Sequence, residues 1–323
     1  MKRTLIGAAA MITTVLVPLA AMAEYPERDV RMIVPWGAGG GTDGIVRKVT
    51  TLAEDNFGGT IYVENIEGGN SATGVGQVMS AKGDGYTLGA LTYDSVVTVP
   101  WQGMLPSYKM DKLDLIARIT SEADAIIVDA NSDYNSLDDL LAAAKADPGK
   151  VRIGVQNLGG RVHLTLLQLQ KLTDTEFKIV SYPGGAAPQK EALLSDEVDV
   201  VMTSLGDFAN LIEDGTARGI VEFSDAKNPT YDVPTAEEAG VDLLNGSFIV
   251  IAAPAGTPED VVAKIEAAYQ AAYESAEFQD WLATIGVTPN WLVGDELDTW
   301  ANDTAQGLFT EMDALVEAGV LSK

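Results

Sequence analysis

The chain holds no cysteine and a single histidine, His163, in 323 residues. Without thiolates there is no sulfur nucleophile, disulfide, iron–sulfur cluster or Cys-ligated zinc, and one imidazole does not make a histidine metal site. No metal and no cofactor are therefore expected. The chemistry on offer is glycine placed where backbone N–H groups can face a ligand. The run Val34-Pro35-Trp36-Gly37-Ala38-Gly39-Gly40-Gly41-Thr42-Asp43-Gly44 reads as a strand end, a glycine loop and a helix start. Glycine lets the backbone approach a ligand closely, and the free amides of a first helical turn attract an anion. Three further loops follow the same plan, at Asn65 to Gly74, Gln156 to His163 and Ser181 to Gly185. One such loop is compatible with an ordinary tight turn. Four from two halves of the chain fit a ligand site, because parallel sheets gather these loops at their carboxyl edge.

Arg161 stands in the first turn of the helix that the third loop opens. A cation there opposes the helix dipole by a few tenths of a kcal/mol to about 1 kcal/mol, tolerable on a surface and useful if an anion sits between. On the second reading a ligand carboxylate supplies the anion, and Arg161→Ala weakens binding by about 2 to 5 kcal/mol. His163, two residues on, is either a ligand contact or a helix-start packing residue. Gly39-x-Gly41-x-x-Gly44 with Glu64 formally matches a dinucleotide fingerprint, but Pro35-Trp36 intervenes between strand and glycines. Asp129-x-Asn131-x-Asp133 begins like a calcium loop, yet Tyr134 replaces the turn glycine and Leu140 the bidentate glutamate; Ser136 with Asp139 reads better as a helix cap. Ser224-x-x-Lys227 lacks the companion motifs of a serine acylase.

The elements that must position these loops alternate. Strands are expected at Val30 to Pro35, Thr60 to Glu64 and Thr87 to Leu91, with helices from Thr42 and over Ala72 to Met79 between them. A second series has strands at Ala125 to Val128, Val151 to Val155, Phe177 to Ser181, Val198 to Thr203 and Gly219 to Phe223. Such alternation implies βαβ units and a parallel sheet in each of two α/β lobes. A last strand, Ser247 to Ala253, precedes helices running to the end, the first of them capped by Thr257 with Pro258 at its first position. Tyr269, Tyr273, Phe278 and Trp281 have the spacing of a core face.

Residues 1–23 have a basic start (Lys2, Arg3), an apolar stretch and the ending Ala21-Met22-Ala23. That is the pattern of a secretory signal peptide for the Sec pathway, cleaved after Ala23, and no twin-arginine pair is present. Formal charge is -26, from 47 acids against 21 Lys and Arg. Losing Lys2 and Arg3 leaves 19 - 47 = -28 on the exported part. So acidic a surface is repelled by phosphate backbones, which excludes nucleic acid as a partner. A hydrophobic fraction of 46% is ample for a large core.

The loops together resemble a known family. Val30 to Arg47 is similar to the N-terminal signature of the Bug, or TctC-like, solute receptors of tripartite tricarboxylate transporters: an Ile-Val-Pro-aromatic run, a Gly-Gly-x-x-Asp loop ending here at Asp43, and Arg47 a turn later. Further matches follow in family order at Asn65 to Gly69, Gly159 to His163, Tyr182 to Gly185, Val198 to Met202, Asp232 to Thr235 with Glu238 to Gly240, and Ala253 to Pro258. Arg161 departs from the small residues usual there, and Pro183 from a frequent Lys, so ligand identity does not carry over.

The resemblance implies a periplasmic-binding-protein type II fold, two α/β lobes with a cleft between them and crossings near Glu122 to Ala125 and Leu244 to Ser247. The expected division is 1–23 signal, 24–123 plus 246–323 for the first lobe and 124–245 for the second. It implies a non-catalytic, monomeric, periplasmic receptor that binds a small di- or tricarboxylate or aromatic carboxylate and delivers it to large and small membrane subunits. Presentation of the ligand to a membrane sensor kinase is an alternative, and an NAD(P)-dependent oxidoreductase a remoter one. Candidate ligand contacts are Trp36, Gly40, Thr42 and Asp43 in the first loop, Ser71, Tyr93 and Ser95 nearby, and Gln156, Arg161, His163, Tyr182, Gly185 and Ser204 in the second lobe. Asp43 is expected to cap its helix or order a water, since two carboxylates repel.

Overall fold

A computed structural model describes residues 25–183, 185–319 and 321. The expected leader with its cleavage after Ala23, and Gly184 of the fourth loop, lie outside these residues. The chain opens with β1 (Val30–Val34), α1 (Gly41–Phe57), β2 (Ile61–Asn65), α2 (Ala72–Ser80) and β3 (Thr87–Leu91). In β1 the side chains alternate between two cores: Met32 and Val34 join Ile45, Val49 and Tyr269 on one face, and Ile33 joins Val75, Leu91 and Phe248 on the other. A strand covered on both faces has to be apolar throughout, which is why its run is continuous. A π-helical turn, Asp94–Thr98, and the single turn α3 (Val99–Trp101) follow β3.

The chain then enters β4 (Leu113–Asp129), a strand shared by two sheets. Leu113 to Ala123 pair with β9 (Gly246–Pro254), while Asp124 to Val128 pair with β7 (Val200–Ser204). The second sheet is built from α4 (Leu137–Ala146), β5 (Arg152–Val155), α5 (Arg161–Thr173), β6 (Lys178–Ser181), α6 (Ala186–Leu194), β7, α7 (Ala209–Glu213) and β8 (Ala217–Glu222). The chain returns on β9 and finishes with α8 (Glu259–Glu274), α9 (Ala276–Thr284), β10 (Thr288–Val293) and α10 (Gly294–Glu317). Strand order is β2-β1-β3-β9-β4-β7-β5-β6, with β10 and β8 also paired to β4.

The sheets are mixed, not parallel as the alternation suggests. β1 pairs in parallel with β2 and β3, and β5 with β6 and β7, but β9, β7, β8 and β10 all run antiparallel to β4. The reason is the double crossing. The chain leaves the first sheet on β4 and comes back on β9, so the two neighbouring crossing strands must point opposite ways. Asn245 O accepts from Asp124 N at 2.9 Å where they meet.

Two local expectations shift as well. The first half of β4 carries Arg118, Thr120 and Ser121, whose polar side chains hide a strand from a hydropathy reading, and β10 interrupts the terminal helices. Thr257 does not cap α8. Its hydroxyl donates to Pro254 O at 2.7 Å, and Pro258 takes the cap position with Glu259 as the first helical residue. Ser136 does cap α4, accepting from Asp139 N at 3.2 Å. Tyr269 and Phe278 are fully buried, with Tyr273 and Trp281 packed against the same core.

Candidate functional site

The loops after β1, β3, β5, β6 and β7 converge on a cleft between the two sheets, with about 470 Å³ free of atoms, part of it continuous with solvent. Among the described residues three helix N-termini face it: α1 at Gly41, α5 at Arg161 and α6 at Ala186. Of the expected contacts, Trp36, Gly40, Thr42, Gln156, Arg161, Gly185 and Ser204 line this space. Asp43, Ser71, Tyr93, Ser95, His163 and Tyr182 do not, and most of them hold the lining residues in place.

Asp43 faces into the first loop. Its carboxylate accepts from Gly39 N at 3.0 Å, Arg47 Nε at 2.8 Å and Asn65 Nδ2 at 2.8 Å. Burial opposes its charge, but these donors outweigh burial and hold the carboxyl below the usual carboxylate range. Ser71 and Ser95 begin a hydroxyl chain: Ser95 Oγ donates to Ser71 Oγ and accepts from Thr92 N, both at 3.1 Å. Thr92 Oγ1 in turn accepts from Trp36 Nε1 at 3.1 Å, which sets the indole at the cleft wall. Tyr93 packs against Phe248, ring centroids 6.5 Å apart. Tyr182 lies against β5, where a Cβ on Gly154 would meet its ring at 3.2 Å. His163 Nδ1 accepts from Gly159 N at 2.8 Å, so the ring is a helix-start residue, and burial pushes its pKa down.

Arg161 overturns the surface reading of the sequence, and although it lines the cleft it already has an anionic partner. It is 5% exposed, and its guanidinium pairs with Asp124, which is wholly buried. Asp124 also accepts from Thr165 Oγ1 at 2.6 Å. The anion beside this cation is therefore the protein's own.

Sequence reasoning missed three acids that line the cleft: Asp94, Glu122 and Asp207. Asp94 Oδ1 accepts from Arg161 N at 3.0 Å and from Thr98 Oγ1 at 2.6 Å. Burial pushes the Asp94 carboxyl up, against the pull of Thr98 and Arg161. Asp207 Oδ1 accepts from Gly41 N at 2.9 Å, and its Oδ2 from Thr203 Oγ1 at 2.5 Å and Gln156 Nε2 at 3.1 Å. Glu122 Oε2 accepts from Ser204 Oγ at 3.0 Å. Burial, then the neighbouring charge of Asp207, push its pKa up to about 7, with the Ser204 hydrogen bond and Arg161 opposing. No local motif marks any of the three, because each meets a partner far along the chain, Asp94 at 67, Glu122 at 82 and Asp207 at 166 residues; only Glu122 had a pointer, its place in a crossing segment.

α6 differs from the other two helices. Gly185, its N-cap, has φ 112° and ψ -156°, and no side chain caps the helix among the described residues. Glu64, the acid of the nominal dinucleotide fingerprint, accepts from Arg31 Nε at 2.6 Å on the strand, away from the cleft. Among the described residues no cluster of three or more His, Cys, Asp or Glu is arranged to hold a metal, and no helix is long and apolar enough to cross a membrane.

Residues 45–309 match the family described as tripartite tricarboxylate transporter family receptor, TctC. Among curated proteins the chain is 26% identical over 290 residues to BugT of Bordetella pertussis, covering 86% of this chain and 88% of BugT. Among solved structures it is similar to the periplasmic binding protein BugD, with a TM-score of 0.84 and 26% identity over 93% of this chain and 100% of that one. MatC of Rhodopseudomonas palustris, solved with bound malate, shares the fold at 24% identity and a TM-score of 0.77, over 92% of this chain and 100% of MatC.

Proposed function

Since the chain belongs to the tripartite tricarboxylate transporter receptor family, a family of solute receptors and not of enzymes, we propose that its cleft binds a small organic carboxylate in the periplasm and hands it to the membrane subunits of such a transporter. One observation carries the choice of carboxylate. Two of the three helix N-termini in the cleft already seat one, Asp207 at Gly41 N and Asp94 at Arg161 N, at 2.9 and 3.0 Å. Loop amides at a helix start are thus a working carboxylate seat in this protein, and the open start of α6 at Gly185 and Ala186 offers another of the same kind. Trp36 and Thr42 supply an aromatic wall and a hydroxyl. Hinge closure of the two lobes then surrounds the ligand, as in other two-lobed binding proteins.

Thermal unfolding with acetate, succinate, malate and citrate tests this. At a hundredfold excess over Kd a ligand stabilises the folded chain by about 2.7 kcal/mol, which raises Tm measurably. Absence of any shift with all four at millimolar concentration overturns the carboxylate reading. Delivery is checked by ligand uptake in membranes carrying the transporter subunits, with and without this protein.

A further inference from the structure

The two seated carboxylates come from opposite lobes. Asp94 follows β3 in the first lobe and caps α5 of the second; Asp207 follows β7 in the second and caps α1 of the first. Each also accepts a hydroxyl from a threonine of its own lobe four residues away, Thr98 Oγ1 at 2.6 Å and Thr203 Oγ1 at 2.5 Å. The contacts are close: a Cβ on Gly41 would meet Asp207 Oδ1 at 2.6 Å, and one on Gly160 would meet Asp94 Oδ1 at 3.2 Å. Both acids are under a tenth exposed, so water does not screen the attraction much. Gln102 Nε2, donating to Gly159 O at 2.9 Å, ties the same two lobes at the rim.

We propose that Asp94 and Asp207 form a reciprocal latch that closes the ligand-free cleft, and that an incoming carboxylate competes with them for the helix N-termini. A first-turn amide that donates to Asp207 cannot at the same time donate fully to a ligand, and two carboxylates at one seat repel. The protein then supplies its own surrogate anion, and a ligand binds only by exchanging with it. A weak or monovalent anion loses that exchange, so the latch sets a threshold for recognition. This inference rests on the carboxylate reading for its second half and not for its first.

The chain has no cysteine, so Tyr62→Cys and Leu172→Cys, at exposed positions on the two lobes, carry a spin-label pair without background. Electron–electron distance measurements on ligand-free protein are expected to give one short distance. Asp94→Ala with Asp207→Ala should move most of the population to a longer one. The isosteric Asp94→Asn with Asp207→Asn, which keeps volume and loses charge, should give a smaller shift the same way and serves if the alanine pair fails to fold. Unchanged distances in the variants overturn the latch. With succinate as probe, calorimetry should show the opened variant binding at least tenfold tighter than the parent. Opening together with weaker succinate binding overturns the competition. Opening with neither protein binding succinate, acetate, malate or citrate upholds the latch and instead removes the carboxylate reading.

Discussion

Glu122 sits inside the crossing strand β4, just before the strand passes from one sheet to the other. Its pKa in the folded chain is raised to about 7 by burial and then by Asp207. A raised carboxyl favours the fold while protonated. Its contribution is therefore whole below the ordinary value of about 4.5 and is lost as pH rises through about 7. Glu122→Gln should leave stability near pH 5 unchanged and raise it near pH 8 by on the order of 2 kcal/mol, read by urea unfolding at the two pH values. An equal effect at both would remove Glu122 as the source. Arg161 teaches the complementary lesson. A cation in a first helical turn is legible in the sequence as needing an anion, but the sequence does not say whose. Asp124 lies 37 residues upstream (161 - 124), on a strand whose polar first half conceals it.

The elements were more legible than the site. Apolar runs covered on both faces, such as Val30–Val34 and Thr87–Leu91, and glycine loops opening helices are local signals, and β3 has the bounds expected of it. Pairing direction was not legible, because a hydropathy pattern is the same for a parallel and an antiparallel neighbour; the return of the chain on β9 decided it. Gly185 is a requirement at the scale of the element that only the backbone conformation shows. At φ 112° and ψ -156° it starts α6 in a region that side chains rarely adopt. Gly185→Ala is expected to cost about 1 to 3 kcal/mol of stability although open space surrounds the added methyl. Thermal unfolding checks it; a loss no larger than that of Gly44→Ala, where φ is ordinary and space is also open, would show that α6 can begin without strain.

At the scale of the molecule, a formal charge of -26 surrounds a site proposed for anions. Global charge acts on encounter more than on the bound state, and salt screens it beyond roughly 8 to 10 Å. Association with succinate should quicken as salt rises from low values, the reverse of ordinary steering, and stopped-flow rates that fall or stay level would show the acidic surface to be without effect. The sequence by itself determined that this is a two-lobed α/β chain whose glycine loops open helices, without thiol chemistry, since strand runs, loop glycines and helix starts are written in contiguous residues. Only the tertiary structure decided what occupies those loops. Asp94 meets Arg161 N, and Asp207 meets Gly41 N, across 67 and 166 residues of chain. Contacts of that separation depend on how two sheets share one strand, which no local pattern records.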